Sequence, residues 1–168
     1  MSILVPEEKI QQRVDELAKL ISADYEGKTL DVICLINSAS LFCADLVRKL
    51  SIPTRLHFLG FSSYSKGTHS GEVRITQDIN EPMFARHVLV VEGIVVSGRT
   101  PRYVLDLIDL RQPQSLAMCA LGVKPAQLCV DLPLKYVAFD LGSEIAIGYG
   151  VGSGPAKVLG SLVEEMPS

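Results

Sequence analysis

Val88-Leu89-Val90-Val91-Glu92-Gly93-Ile94-Val95-Val96-Ser97-Gly98-Arg99-Thr100 is the stretch on which the fold turns. Within the strand candidate over 86–92, residues 88–91 are wholly apolar and the run ends on an acid, the pattern of a strand buried on both faces of a parallel sheet. Residues 93–99 read as a turn, and Thr100-Pro101 offers an N-cap with proline at the first helical position. A helix over 101–110 follows. In this strand, turn and helix start, Gly98 removes steric bulk, while backbone N–H groups and the hydroxyls of Ser97 and Thr100 would cradle a phosphate. The same residues also suit an ordinary connection, and a solubilising charge at a strand end is the plain reading of Glu92. In open sheets of this kind, ligands sit at the carboxyl ends of the strands.

The same grammar extends outward. Residues 30–36 form a second apolar strand, a small polar loop covers 37–40, and apolar positions 42, 46, 47 and 50 mark a crossover helix over 41–50. Upstream, Ile10, Val14, Leu17 and Ile21 recur at helical spacing behind Pro6-Glu7-Glu8, a start favoured by the helix dipole. Strands are expected at 55–59, 115–121, 136–139 and 144–147. Residues 61–72 are rich in Ser, Gly and Thr and read as a long polar loop, either a mobile lid or a disordered connection. Alternating units of this order predict an α/β fold with a mostly parallel central sheet flanked by helices, in one domain over 1–168.

Composition removes several classes of function. The 168 residues carry 16 Lys and Arg against 19 Asp and Glu, a net charge of −3, so no broad surface for nucleic acid is expected. Aromatic residues are 6% of the chain and Trp is absent, which leaves little for base stacking. No apolar run reaches the roughly 18 residues of a membrane span, and the amino terminus lacks the pattern of a secretory signal, so a cytoplasmic protein is expected. Cys34, Cys43, Cys119 and Cys129 stand apart, without zinc or redox spacing, and read as buried free thiols. His57, His69 and His87 show no metal-ligand spacing. The glycines at 148, 150, 152 and 154 do not match the G-x-G-x-x-G dinucleotide fingerprint.

The segment V-E-G-I-V-V-S-G-R-T resembles the V-E-D-I-x-D-T-G-R-T of the hypoxanthine-guanine phosphoribosyltransferases, a group of type I phosphoribosyltransferases. Further matches run in order: Arg13-Val14, Asp24-Tyr25, residues 42–46, Ser63-Tyr64, residues 70–75, Leu121 with Lys124-Pro125, and Ile147-Gly148-Tyr149-Gly150. The resemblance implies a phosphoribosyltransferase-like (Rossmann-like) fold with a small hood and a flexible lid loop. It implies transfer of ribose 5-phosphate from phosphoribosyl pyrophosphate to a purine base, through a transition state of oxocarbenium character. Carried over by position, Ser97, Gly98, Arg99 and Thr100 would bind the 5′-phosphate and Glu92 the ribose hydroxyls. Lys124, more often a solvated strand-end lysine outside this context, would reach the purine's exocyclic oxygen, with Ile145 at the position stacked on the base. Asn37 and Ser38 would form the pyrophosphate loop, and Ser63 and Tyr64 the lid that excludes water. The partners implied are a purine base, phosphoribosyl pyrophosphate or purine monophosphate, with Mg2+ and a homodimer or homotetramer.

Several positions depart from the family pattern. Val96 replaces the Asp that acts as general base near purine N7, and valine cannot accept a proton. Gly93 and Gly152 replace acids expected at the ribose and at magnesium, so a metal site is not assigned. Ile36-Asn37-Ser38-Ala39 stands where a Lys-Gly pair is usual, and no Arg stands near Lys157 or Val158. Two readings follow: a purine-salvage phosphoribosyltransferase of reduced activity, or an inactive paralogue binding purine nucleotide or phosphate in a regulatory role. Restoring acids at 96 and then at 93 is expected to raise turnover stepwise.

Overall fold

The computed structural model describes residues 2–64 and 72–165. The elements run β1 (Ile3–Val5), α1 (Glu7–Asp24), β2 (Leu30–Ile36), α2 (Ser40–Lys49), β3 (Thr54–Tyr64), β4 (Glu72–Gln77), β5 (His87–Val95), α3 (Arg99–Asp109), β6 (Ser115–Val123), β7 (Leu134–Asp140), β8 (Ala146–Ile147) and β9 (Leu162–Glu164). Six strands form the main sheet in the order β4-β3-β2-β5-β6-β7, and β1-β9-β8 make a second, small sheet. All pairings in the main sheet are parallel except that of β3 with β4.

Side-chain alternation on β2 sorts the core into two layers. Val32 and Cys34 pack with Ile10, Val14, Phe42 and Leu46 of α1 and α2, whereas Ile33 and Leu35 pack with Val104, Leu105 and Ile108 of α3. Burial on both faces is why β2 and β5 read as continuous apolar runs. From β2 the chain moves outward through α2 to β3, and from β5 it moves the other way through α3 to β6. The two connections diverge between β2 and β5, and this parting opens a crevice at the strands' carboxyl ends.

Local boundaries differ from the sequence expectations in instructive ways. The polar stretch at 61–72 is not one loop: β3 continues to Tyr64, β4 starts at Glu72, and the two pair antiparallel from Phe61↔Ile75 to Tyr64↔Glu72. Backbone pairing in a hairpin does not require apolar side chains, so composition alone concealed it. Residues 65–71, the tip of the expected lid, lie outside the described residues. Gly93 to Val95 are strand rather than turn, held by the pairs Ile94↔Gly122 and Val95↔Val123. The α3 N-cap is Gly98 at φ 81°, not Thr100, which is already helical. Within 144–147 only Ala146 and Ile147 are strand, and they belong to the small sheet. Cys34, Cys43 and Cys119 are buried as expected, but Cys129 is exposed.

At the amino ends of the strands, away from the crevice, lies a buried ion cluster. The Asp31 carboxylate is fully buried, accepting from Arg55 Nε at 2.9 Å, Arg55 Nη2 at 2.8 Å and Arg86 Nη1 at 3.0 Å, with His57 Nε2 at 2.8 Å. Burial pushes this carboxyl up, but the hydrogen bonds from Arg55, His57 and Arg86 outweigh burial and hold it below the ordinary carboxylate range. Because the native value lies below the unfolded one of about 3.9, the stabilisation is complete above that pH and is lost as pH falls through the native value. Asp31→Ala should cost about 3 kcal/mol, the lower end of the range for breaking a buried pair, since the Arg55 side chain is 45% exposed. Urea titrations from neutral pH to pH 3 check both points. The loss should be largest at neutral pH and shrink in acid, and a loss under about 0.5 kcal/mol at neutral pH contradicts the assignment.

Candidate functional site

The crevice holds a cavity of about 240 Å³ that brings together Ser38, Phe61, Glu92, Val96, Ser97 and Thr100. Ser38 comes from the loop after β2, Glu92 from β5, and Val96 to Thr100 from the turn into α3. The switch between β2 and β5 therefore supplies both walls. Phe61 was not singled out in the sequence because it lay in an apparent loop, and only its pairing in the hairpin aims it here.

The turn is built around Gly98. Its φ of 81° is one that side chains rarely adopt, and a Cβ there would stand 2.8 Å from Leu128 Cδ1 and 2.9 Å from Val130 Cγ2. The 128–132 segment thus packs beneath the turn, and the Cys129 N–H donates to the Ser97 carbonyl at 3.1 Å. Above it, α3 begins with the N–H groups of Gly98 and Thr100 on the cavity wall, while Pro101 contributes none and the Arg99 N–H donates to Ser97 Oγ at 3.4 Å. With the hydroxyls of Ser97 and Thr100, this helix start presents donors and the positive end of a dipole toward the cavity. Arg99 is exposed and does not line it.

Among the described residues Glu92 is the one carboxylate lining the cavity, and it is 5% exposed. Its Oε1 accepts from Ser38 Oγ at 2.6 Å and from the Gly93 N–H at 2.7 Å. Burial pushes the carboxyl above the ordinary range, and the two hydrogen bonds offset only part of that. Lys124 follows β6, its N–H bonded to the Val95 carbonyl at 2.9 Å, so it stands beside Val96. The buried ammonium donates to the Glu144 carbonyl at 2.7 Å and ties down the loop that carries exposed Ile145. Neither residue lines the cavity itself, and Asn37 is exposed outside it. Ser63 and Tyr64 occupy the end of β3.

Two of the positions where the family pattern has acids, 93 and 152, are tightly packed, whereas Val96 is open to the cavity. A Cβ on Gly93 would lie 2.9 Å from the Ser38 carbonyl oxygen and 3.0 Å from Ser38 Cβ. On the other side, a Cβ on Gly150 would lie 3.1 Å from the same oxygen. The Ser38 peptide is thus wedged between β5 and the turn at Gly150, and that turn is itself anchored by the Tyr149 hydroxyl donating to Asp45 on α2. At Gly152, φ is 81° and a Cβ would meet Ile147 Cγ2 at 2.5 Å. An acid at 93 would therefore have to displace the Ser38 backbone, which weighs against its adding to one at 96. Among the described residues, no group of three His, Cys, Asp or Glu side chains is placed to hold a metal ion, and no helix is long and apolar enough to cross a membrane.

A parallel sheet with this turn at its switch point defines a class: the phosphoribosyl transferase domain, whose family pattern matches residues 2–151. The chain belongs to that family and, within it, to the hypoxanthine-guanine phosphoribosyltransferases. It is 36% identical over 155 residues to the hypoxanthine phosphoribosyltransferase of Haemophilus influenzae, covering 90% of this chain and 87% of that one. To the Salmonella typhimurium enzyme of the same name it is 34% identical over 154 residues, covering 90% and 86%. The crystal structure of a hypoxanthine-guanine phosphoribosyltransferase from Bacillus anthracis superposes with a TM-score of 0.91 at 32% identity, over 99% of this chain and 98% of that one.

The buried acid gives a stability prediction. A native value above the unfolded value of about 4.3 means that the protein loses stability as pH rises through the native one. Glu92→Gln, which keeps Oε1 as the acceptor for both donors, should raise Tm at neutral pH. The gain should vanish toward pH 4. Thermal unfolding that shows a lower Tm for the variant at neutral pH contradicts it.

Proposed function

We propose that this protein is a cytoplasmic purine-salvage phosphoribosyltransferase with impaired turnover, taking a purine base and phosphoribosyl pyrophosphate or holding a purine monophosphate. The observation that carries the reading is the cavity in which the α3 start faces Glu92 while Val96, 40% exposed, lines the wall between them. The N–H groups of Gly98 to Thr100 and the hydroxyls of Ser97 and Thr100 bind the 5′-phosphate, and Arg99 adds a diffuse positive charge. Glu92 takes the ribose hydroxyls on the oxygen not used by Ser38 and Gly93. Lys124 and Ile145 form the purine end, the cation toward an exocyclic oxygen and the apolar side chain against the ring. Ser63 and Tyr64, at the hairpin, flank the entrance, and Asn37 and Ser38 border the leaving-group side.

In the forward reaction the purine nitrogen attacks the ribose carbon as pyrophosphate departs, and a proton must leave the purine. Val96 cannot take it. A positioned general base contributes about 10²–10⁴-fold, so its loss slows transfer without disturbing the phosphate pocket. Binding in a regulatory role is the second reading, favoured by the Ser38 peptide standing where an acid at 93 would project.

Steady-state assays with hypoxanthine and guanine test the proposal. Val96→Asp should raise kcat by about 10²-fold, the lower end of the general-base range. Gly93→Asp added to it should give no further gain and should lower Tm. An unchanged rate in Val96→Asp, with native turnover already that of the family's ordinary members, overturns the account of impairment. The family resemblance also leads us to propose a homodimer or homotetramer; light scattering that gives a monomer at all concentrations rejects it.

A further inference from the structure

The acids missing at 93 and 152 are not simply absent, because their space has been taken. Ser38 occupies the one at Gly93 with a backbone carbonyl, at 2.9 Å from where a Cβ would stand, and Gly150 admits the same oxygen from the opposite side. Ile147 occupies the other at 2.5 Å. Glu92, the only carboxylate on the cavity wall among the described residues, already spends Oε1 on Ser38 and Gly93. Magnesium demands near-octahedral oxygen ligation at about 2.0–2.1 Å, with one or two carboxylates beside substrate phosphates and waters. The donor set here does not fit that requirement. The phosphate-binding turn is separate from this closure, since it rests on Gly98 and the 128–132 segment.

We propose that the Ser38 loop has replaced the metal-binding half of the site, making it a divalent-cation-independent pocket for a sugar 5′-monophosphate that gains nothing from a pyrophosphate at the sugar's C1. The pocket then accepts a nucleoside monophosphate, or ribose 5-phosphate alone, and treats phosphoribosyl pyrophosphate as another 5-phosphate ester. Ser38 is the residue that sets this selectivity, by position rather than by contact with a reacting atom. The inference rests on the reading of the Gly98 turn as a 5′-phosphate site.

Calorimetry on the full chain tests it with inosine monophosphate, ribose 5-phosphate and phosphoribosyl pyrophosphate, each in magnesium and in chelator. Inosine monophosphate should bind equally in both, and phosphoribosyl pyrophosphate should match ribose 5-phosphate to within about threefold, under ~0.7 kcal/mol. Manganese added as a paramagnetic stand-in should give no bound spectrum with or without phosphoribosyl pyrophosphate. Tightening of phosphoribosyl pyrophosphate by magnesium of about tenfold or more overturns the inference while leaving the phosphate pocket intact. Failure of all three ligands to bind overturns the pocket as well. A second arm uses Gly93→Asp: the Ser38 clash predicts a lowered Tm and no bound manganese, and a variant of native Tm that binds manganese with phosphoribosyl pyrophosphate shows that the space was open.

Discussion

The 2.6 Å hydrogen bond from Ser38 Oγ to Glu92 Oε1 joins the loop after β2 to β5, across the gap that a doubly wound sheet opens. Parallel pairing of β2 with β5 brings the strand ends together, and their helices then leave on opposite faces. Something must bridge the gap between them. In this chain the bridge is a polypeptide loop bonded to a buried acid, and its carbonyl is seated between two glycines. Side chains at 93 or 150 would break that seat. The cavity wall at Gly93 is shaped by it, and a side chain at 93 would have to displace it.

The phosphate side obeys a different constraint. Gly98 must take a left-handed conformation and must also lie against Leu128 and Val130, so two independent demands select glycine. Neither demand involves the residues at 93, 96 or 152. Substitution can therefore strip general-base and metal chemistry from one half while the other half keeps its form. Glu92 connects the halves, and its burial against its own charge is the kind of local destabilisation that binding sites retain.

Much of this architecture was legible in the sequence. The apolar runs at β2 and β5 and the helical spacing in α1 announced themselves through local periodicity, and the S-G-R-T turn through its glycine and hydroxyls. The small sheet did not, because β1 and β9 are three residues each and meet across the whole chain, Ile3 opposite Val163. Such strands have no period to detect. The hairpin arms at Phe61 and Glu72 were hidden by polar side chains on a paired backbone, and with them went Phe61 as a cavity residue. Substitutions at 93, 96 and 152 were visible as letters. What the letters could not convey is that the space at 93 is filled by a backbone atom 55 positions away, which turns a missing acid into a closed site.

Amide chemical-shift mapping on the full chain separates the phosphate half of the site from the half at Ser38 and Gly93. With inosine monophosphate and no divalent cation, the resonances of Gly98, Arg99 and Thr100 should move, and subsequent magnesium should leave those of Ser38 and Gly93 where they were. Movement of Ser38 and Gly93 on adding magnesium, or an unchanged Gly98 to Thr100 turn at saturating monophosphate, would contradict the division of the site into a retained phosphate half and a closed metal half.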